Sequence, residues 1–344
     1  MSEKLNIAVV GATGAVGEAM LSILAEYGFR DANVHALASE RSLGKTVDFG
    51  RRCLAVEVLD DFDFAGCDFA LFSAGGGISL KYAPRAAEGG CTVIDNTSAF
   101  RLDPEIPLVV PEINGDLLES LDAGSIIANP NCSTIQMLIA IAPIHAIAGI
   151  DRINVATYQS VSGAGSEGME ELARQTMDRL SFKDVKPSVF AQPIAFNAIP
   201  VIDTMQDNDY TREEMKLHWE TCKILRDDSI GVNATAVRIP VFYGHSEAVH
   251  LETSRDISIE DVREAMHKAP GLVLVDDTDA KAQVTAVTHA AGKDEVFVSR
   301  LRRDHSHPRG INLWVVGDNV RKGAALNAVQ ILKMMVTGKM PVET

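Results

Sequence analysis

A glycine-rich turn near the start of the chain constrains the fold more than any other feature. Gly11, Gly14 and Gly17 follow an apolar run, Asn6 to Val10, and open a helical pattern from about Val16 to Gly28. Glycine lets the backbone turn tightly and approach a pyrophosphate, while the unpaired N–H groups of the helix start face its negative charge. Strand, turn and helix together predict a Rossmann-type dinucleotide-binding domain, and the alternative is a tight turn without a ligand.

The alternation of short apolar runs with helical patterns continues through roughly the first 130 residues, which is typical of a parallel α/β sheet. Further strands are predicted at Asn33 to Ala38, Phe69 to Ser73, Thr92 to Asp95, Leu108 to Val110 and Ser125 to Ala128. We therefore expect an α/β fold whose first domain is a doubly wound sheet.

The pattern changes after Arg152, where the strands become longer and are expected to be antiparallel. They are predicted at Arg152 to Ser160, Ala234 to Val241, Ala248 to Thr253, Val296 to Arg302 and Ile311 to Val316, with helices at Gly168 to Leu180 and Arg212 to Leu225. This predicts an α+β second domain over residues 132–317. The first domain then comprises residues 1–131 and 318–344, because the last helix, about Gly323 to Thr337, is expected to return to it.

Composition excludes several classes of protein. The 344 residues carry 32 basic and 47 acidic side chains, a net charge of −15, which argues against nucleic acid or an anionic membrane as partner. Neither a secretory signal nor a membrane span is predicted, so the expected location is the cytoplasm. The five cysteines are widely spaced, which predicts neither a disulfide framework nor a metal site.

Cys132 is the candidate nucleophile. It follows the last strand of the first domain and a proline turn at Pro130, and an apolar helical pattern begins at about Ser133. A thiol at a helix N-terminus faces free N–H groups and the positive end of the helix dipole, which favour the reactive thiolate. The alternative is an inert core cysteine.

The second strand ends in a segment that indicates which nucleotide is bound. Arg41, flanked by Ser39 and Ser42, suits the 2′-phosphate of NADP, whereas Glu40 is of the type that contacts the ribose of NAD. A solvated charged loop is the alternative. We expect NADP, with a cofactor site at Gly11, Thr13, Gly14, Ala15, Val16, Ser39, Arg41, Ser42 and Ser73.

Three motifs carry a family resemblance. They are Asn131-Cys-Ser-Thr134, Tyr158-Gln-Ser-Val-Ser-Gly-Ala-Gly165 and Arg238-Ile-Pro-Val-Phe-Tyr-Gly-His-Ser246. With the glycine-rich turn they make the chain resemble the aspartate-β-semialdehyde dehydrogenases over essentially its whole length. The resemblance implies NADPH-dependent, reversible reductive dephosphorylation of L-4-aspartyl phosphate to L-aspartate 4-semialdehyde in lysine, methionine and threonine biosynthesis. It also implies a homodimer, or a tetramer of two dimers, built through the second domain.

The resemblance implies a role for individual residues. Cys132 carries the acyl group, His245 moves the proton of the thiohemiacetal, and Gln159 orients the intermediate. Substrate contacts fall on Arg238 for the carboxylate, on Glu220 for the ammonium group, and on Arg101, Asn131 and Lys223 for phosphate. The implied contacts to the nicotinamide end of the cofactor are Ser162, Gly163 and Asn319.

Two other functions stay open on the sequence alone. A related acyl reductase, such as a malonyl-CoA reductase, would keep Cys132 and His245 without needing Glu220. A catalytically silent NADP-binding protein would need neither Cys132 nor His245, so the presence of both argues against it.

Overall fold

The computed structural model describes residues 4–275 and 278–339 and divides into two units. Unit 1 comprises Met1–Pro130 and Ala324–Thr344, and unit 2 comprises Asn131–Gly323. The predicted domain bounds lie close to these ranges and remain a prediction.

Unit 1 contains a parallel sheet flanked by helices. Its strands are β1 (Asn6–Val10), β2 (Asn33–Ala38), β3 (Thr46–Phe49), β4 (Arg52–Val58), β5 (Phe69–Phe72), β6 (Thr92–Asp95) and β7 (Ile126–Ala128), and its first helices are α1 (Ala15–Glu26), α2 (Gly76–Glu88) and α3 (Pro111–Asn114). The strand order is β3-β4-β2-β1-β5-β6-β7. All neighbours pair in parallel except β3 and β4, which confirms the predicted doubly wound sheet.

Two local predictions for unit 1 were wrong or incomplete. The predicted strand at Leu108 to Val110 is a single parallel bridge between Leu108 and Ala128. The prolines at 107 and 111 enclose this segment, and proline cannot donate to a ladder. The sequence analysis also missed the β3–β4 hairpin, which turns at Gly50 with a φ of +61°.

Unit 2 contains a second, mixed sheet. Its elements are α4 (Cys132–Ala148), β8 (Ile150–Gln159), α5 (Gly165–Leu180), α6 (Arg212–Leu225), β9 (Gly231–Arg238), β10 (His245–Thr253), α7 (Ile259–Lys268), β11 (Leu272–Leu274), β12 (Val296–Arg303) and β13 (Gly310–Gly317). The six strands follow the order β11-β12-β13-β10-β8-β9.

The expected antiparallel pairing holds only in the centre of this sheet. β8, β10, β13 and β12 pair antiparallel, whereas β8 and β9 are parallel, as are β11 and β12. The long connection that contains α5 and α6 returns the chain to the end of the sheet at which β8 begins. Two parallel strands require such a crossover. It places the ends of β8 and β9, Gln159 and Arg238, side by side.

The last helix, α8 (Leu326–Thr337), belongs to unit 1 as predicted. Its buried residues, which include Val329 and Leu332, share one apolar core with Met20 and Leu24 of α1. Within the described ranges, no helix combines the length and apolar character needed to cross a membrane.

Candidate active site

A cavity of about 400 Å³ lies at the carboxyl ends of β1, β2 and β5 in unit 1. It is lined by Gly11, Thr13, Gly14, Ala38, Ser39, Leu59, Asp60, Ser73, Ala74, Ile78, Lys81 and Tyr82. Five predicted cofactor residues are in this set: Gly11, Thr13, Gly14, Ser39 and Ser73. Ala15 and Val16 begin α1 beside the cavity, Arg41 is exposed, and the hydroxyl of Ser42 lies 3.4 Å from that of Thr13.

The glycine turn has the shape that a bound pyrophosphate requires. Gly11 has a φ of +89°, a backbone conformation that residues other than glycine rarely adopt. A Cβ atom added to Gly17 would lie only 2.1 Å from the carbonyl oxygen of Gly11. The close approach of α1 to the turn therefore depends on glycine at position 17. The glycine turn and the cavity beside it fit a bound dinucleotide.

Gly17→Ala should open this turn, because the added methyl group overlaps the backbone of Gly11. We expect a lower melting temperature and at least a tenfold weaker binding of NADPH. Gly231→Ala is the matched control, since its nearest neighbour would be 3.7 Å away in unit 2. Thermal unfolding and fluorescence titration with NADPH measure the two effects, and equal results for both variants would contradict the geometry.

Cys132 is the first residue of α4, as the sequence indicated, and its side chain is half-buried. Asn131 is the N-cap: its Oδ1 accepts from the N–H groups of Ser133 (3.0 Å) and Thr134 (3.3 Å). A Cβ atom on Gly323 would lie 2.8 Å from the Cβ of Cys132, so only glycine lets that segment pack against the thiol residue. The sequence analysis missed Gly323.

His245 and Arg238 meet around the end of β8. His245 is fully buried, and its Nδ1 accepts from the N–H of Ser160 at 3.0 Å. Arg238 donates from Nη1 to the carbonyl oxygen of Ser160 at 2.7 Å. A Cβ atom on Gly163 would lie 2.9 Å from this Nη1 and 3.7 Å from the Nε2 of His245. The structure therefore brings these two predicted site residues to one face of Gly163.

The ring of His245 is neutral at physiological pH. Burial, and then the charge of Arg238, lower its pKa to about 3. Because a backbone N–H can only donate, Nδ1 carries the lone pair and the ring proton is on Nε2. That Nε2 is buried and has no hydrogen-bond partner among the described residues.

Asn319 supports the His245 segment. Its Oδ1 accepts from the hydroxyls of Ser160 (3.0 Å) and Ser162 (3.2 Å) and from the N–H of Gly244 (2.9 Å). The sequence analysis assigned Asn319 and Ser162 to the cofactor, and that contact remains a prediction. In the structure they tie the loop after β8 to the residue before His245.

Helix α6 directs two buried carboxylates at Asn131. Glu220 accepts from the backbone N–H of Asn131 at 2.6 Å. Glu213 accepts from the Nδ2 of Asn131 at 2.9 Å and from the Nε2 of Gln159 at 3.1 Å. Glu213 was missed, although its spacing of seven residues from Glu220 places both on one helix face. Lys223 is half-buried on the same helix.

Arg101, the remaining predicted phosphate contact, belongs to unit 1. It follows β6 and is almost fully buried, and its Nη2 donates to the carbonyl oxygen of Asn96 at 2.9 Å. Its role at a phosphate remains a prediction.

Glu213 should add a pH-dependent part to the stability of the protein. Burial opposes its charge, but Lys216, Asn131 and Gln159 lower its pKa from 4.5 to about 2. A depressed pKa gives stability that is present above the pKa of the unfolded chain and is lost as pH falls through the folded value. Urea unfolding should therefore show wild type and Glu213→Gln converging between pH 4.5 and 2. A gap that stays constant over this interval would contradict the assignment.

Comparison with known proteins defines the class first. Residues 6–121 match the family model described as "Semialdehyde dehydrogenase, NAD binding domain", and residues 141–322 match "Semialdehyde dehydrogenase, dimerisation domain". The two models place the chain among oxidoreductases with an NAD(P)-binding domain.

Individual relatives narrow the class to a family. The aspartate-semialdehyde dehydrogenase of Legionella pneumophila is 54% identical over 97% of this chain and 96% of that protein. The crystal structure of aspartate semialdehyde dehydrogenase II from Vibrio cholerae, complexed with ASA, has a TM-score of 0.94 at 54% identity and covers 97% of this chain and 99% of that chain. The chain belongs to the aspartate-semialdehyde dehydrogenase family, which confirms the resemblance found in the sequence.

Proposed function

We propose that this chain converts L-4-aspartyl phosphate to L-aspartate 4-semialdehyde with NADPH, reversibly, through a thioacyl intermediate on Cys132. The observation that supports it most directly is the position of Cys132 at the start of α4, in the same unit as Gln159, Arg238 and His245. This arrangement supplies a nucleophile, an orienting amide, a carboxylate-binding cation and a hydrogen-bond donor.

Acyl transfer to Cys132 is the first step. The thiolate attacks the carbonyl carbon of the acyl phosphate. The bond between this carbon and the phosphate oxygen then breaks, and the phosphate leaves with the bonding electrons and takes up a proton from solvent. The positive end of the α4 dipole stabilises the thiolate, and the backbone N–H of Cys132 is assigned to the oxyanion that forms during attack. Asn131 and Lys223 of unit 2 are assigned to the leaving phosphate.

His245 acts on the carbonyl oxygen of the thioester. Bound NADPH supplies the hydride that reduces this group. The neutral ring donates from Nε2 to the oxygen as it becomes an alkoxide, which fits a buried donor that lacks a protein partner. Collapse of the alkoxide then expels the Cys132 thiolate and releases the aldehyde.

Recognition of an amino-acid substrate rests on Arg238 and Glu220. The planar guanidinium of Arg238 suits the α-carboxylate, and Glu220 is assigned to the ammonium group. Both side chains are more than nine-tenths buried in unit 2, so their interactions with substrate would be little screened by water.

Preference for NADP over NAD is assigned to Arg41, which follows β2, and to Lys81 of α2. Arg41 is exposed beside Ser39, and the cavity adds Lys81, whose Nζ bonds to Asp60 at 3.1 Å. Arg41→Ala and Lys81→Met should each raise the KM for NADPH about tenfold and leave the KM for NADH within twofold. Steady-state assays with both cofactors measure this, and parallel changes with both cofactors would remove the cation from 2′-phosphate recognition.

We also propose a homodimer formed through unit 2, in a cytoplasmic enzyme of lysine, methionine and threonine biosynthesis. The matched dimerisation model lies in unit 2. Exposed apolar side chains also occur between α5 and α6, at Phe182, Val189, Phe196, Val201 and Met205. Sedimentation should give twice the mass of one chain, and a monomer at micromolar concentration would contradict the dimer.

Phosphate-dependent formation of NADPH from aspartate semialdehyde and NADP tests the function. Purified protein should show this activity, with none in the absence of phosphate. No activity would overturn the proposal, and reduction of malonyl-CoA by the same preparation would replace it with the related acyl reductase.

A further inference from the structure

We propose that Glu213 is a positioning residue that fixes the side-chain amides of Gln159 and of Asn131, the residue before the candidate nucleophile Cys132. The inference rests on the proposed function. It adds to that function a residue whose carboxylate acts through two others and contacts neither substrate nor cofactor.

The single carboxylate of Glu213 accepts hydrogen bonds from both side-chain amides. Its Oε1 accepts from Asn131 Nδ2 (2.9 Å) and from Gln159 Nε2 (3.1 Å). Its Oε2 accepts from Lys216 Nζ at 2.9 Å, and the same ammonium group donates to Asp203 Oδ2 at 2.9 Å. Two ion pairs that share Lys216 therefore connect the exposed Asp203 to Glu213, which contacts the start of α4.

The charge of Glu213 determines which way each amide faces. A carboxylate can only accept, so both amides must present their NH₂ groups to it. Asn131 is thereby left with its oxygen toward Ser133 and Thr134, as the N-cap of α4 requires. The NH₂ group of Gln159 also donates to Ser133 Oγ at 3.0 Å. Its carbonyl oxygen therefore points away from both Glu213 and Ser133.

Lys216 keeps the Glu213 carboxylate charged although it is buried. Glu213 is 6% exposed, and an unpaired carboxylate there would take up a proton and become a donor on one oxygen. The ion pair keeps the group charged, and its pKa is lowered to about 2. Glu213 is thus charged and acceptor-only at neutral pH.

The test is Glu213→Gln, which keeps the size of the side chain but can donate as well as accept. We expect kcat to fall at least tenfold and the KM for NADPH to stay within twofold. Glu214→Gln is the matched control: its carboxylate accepts only from the backbone N–H groups of Thr211 (2.7 Å) and Ala236 (2.9 Å) among the described residues. It should keep kcat within twofold.

A double-mutant cycle separates positioning from general stability. The part of the effect that passes through Gln159 is absent in a Gln159→Ala background, so Glu213→Gln should lower kcat there by a smaller factor than in the wild type. A full additive loss there, an equal loss from Glu214→Gln, or an unchanged kcat in the single variant would overturn the inference.

A second readout does not depend on activity. In ¹H–¹⁵N correlation spectra, the side-chain NH₂ signals of Asn131 and Gln159 should both shift in Glu213→Gln and stay in place in Glu214→Gln. Unmoved signals would overturn the positioning role even in an active enzyme. An inactive wild type with the expected shifts would overturn the proposed function alone.

Discussion

Cys132→Ser should lower kcat by about 10³-fold or more, because serine lacks the thiolate that the start of α4 stabilises. Binding of NADPH should stay within twofold, since the cofactor cavity described for unit 1 does not include this residue. The measurements are phosphate-dependent NADPH formation and a fluorescence titration with NADPH.

Cys53→Ser is the control for this substitution. Cys53 is exposed on the β3–β4 hairpin, and it should tolerate the change without loss of turnover. Mass spectrometry supplies a direct check: wild type treated with aspartyl phosphate in the absence of NADPH should gain one acyl group on Cys132. A Cys132→Ser enzyme with normal turnover, or an acyl group on another residue, would refute covalent catalysis at Cys132.

Arg238→Lys is expected to lower kcat/KM for aspartate semialdehyde about 10²-fold. Lysine keeps the charge but loses the planar fork, so its single nitrogen cannot present two parallel N–H groups to a carboxylate beside the bond to the Ser160 carbonyl that Arg238 makes. Both kcat and KM should change, because the Arg238 guanidinium that binds the carboxylate also places the reacting carbon near Cys132.

Arg152→Lys is the matched control, since Arg152 is an exposed arginine on β8 in the same sheet. It should leave both kinetic constants within twofold. Steady-state kinetics with varied semialdehyde at saturating phosphate and NADP measure the difference. Unchanged kinetics for Arg238→Lys would remove Arg238 from the substrate site.

The sequence predicted the elements whose signal is local. α6 begins and ends where its pattern indicated, because Thr211 and Glu214 form a capping box around an amphipathic helix. β1 and β2 were equally well defined by their apolar runs. Signals were weaker where glycine or proline interrupted the pattern, so α2, which starts within the Gly75–Gly77 run, was not predicted, and the strand predicted at Leu108 was wrong.

Site residues followed the same division. Cys132 was found because a helix start is visible in the sequence, and His245 and Arg238 were found through the family motifs. Glu213 and Gly323 carry no such motif. Their importance comes from the atoms they meet: Asn131 and Gln159 for the carboxylate, and the Cys132 side chain for the glycine.

The sequence by itself determined the Rossmann-type turn, a cysteine at the start of a helix as the candidate nucleophile, and the family of the chain, because each depends on neighbouring residues or on short motifs. Only the tertiary structure decided that β8 and β9 run parallel and set Gln159 beside Arg238. It also decided that His245 is a buried, neutral donor and that Glu213 supports two amides. These properties depend on burial and on contacts between residues that are far apart in the chain, and neither is written in a local pattern.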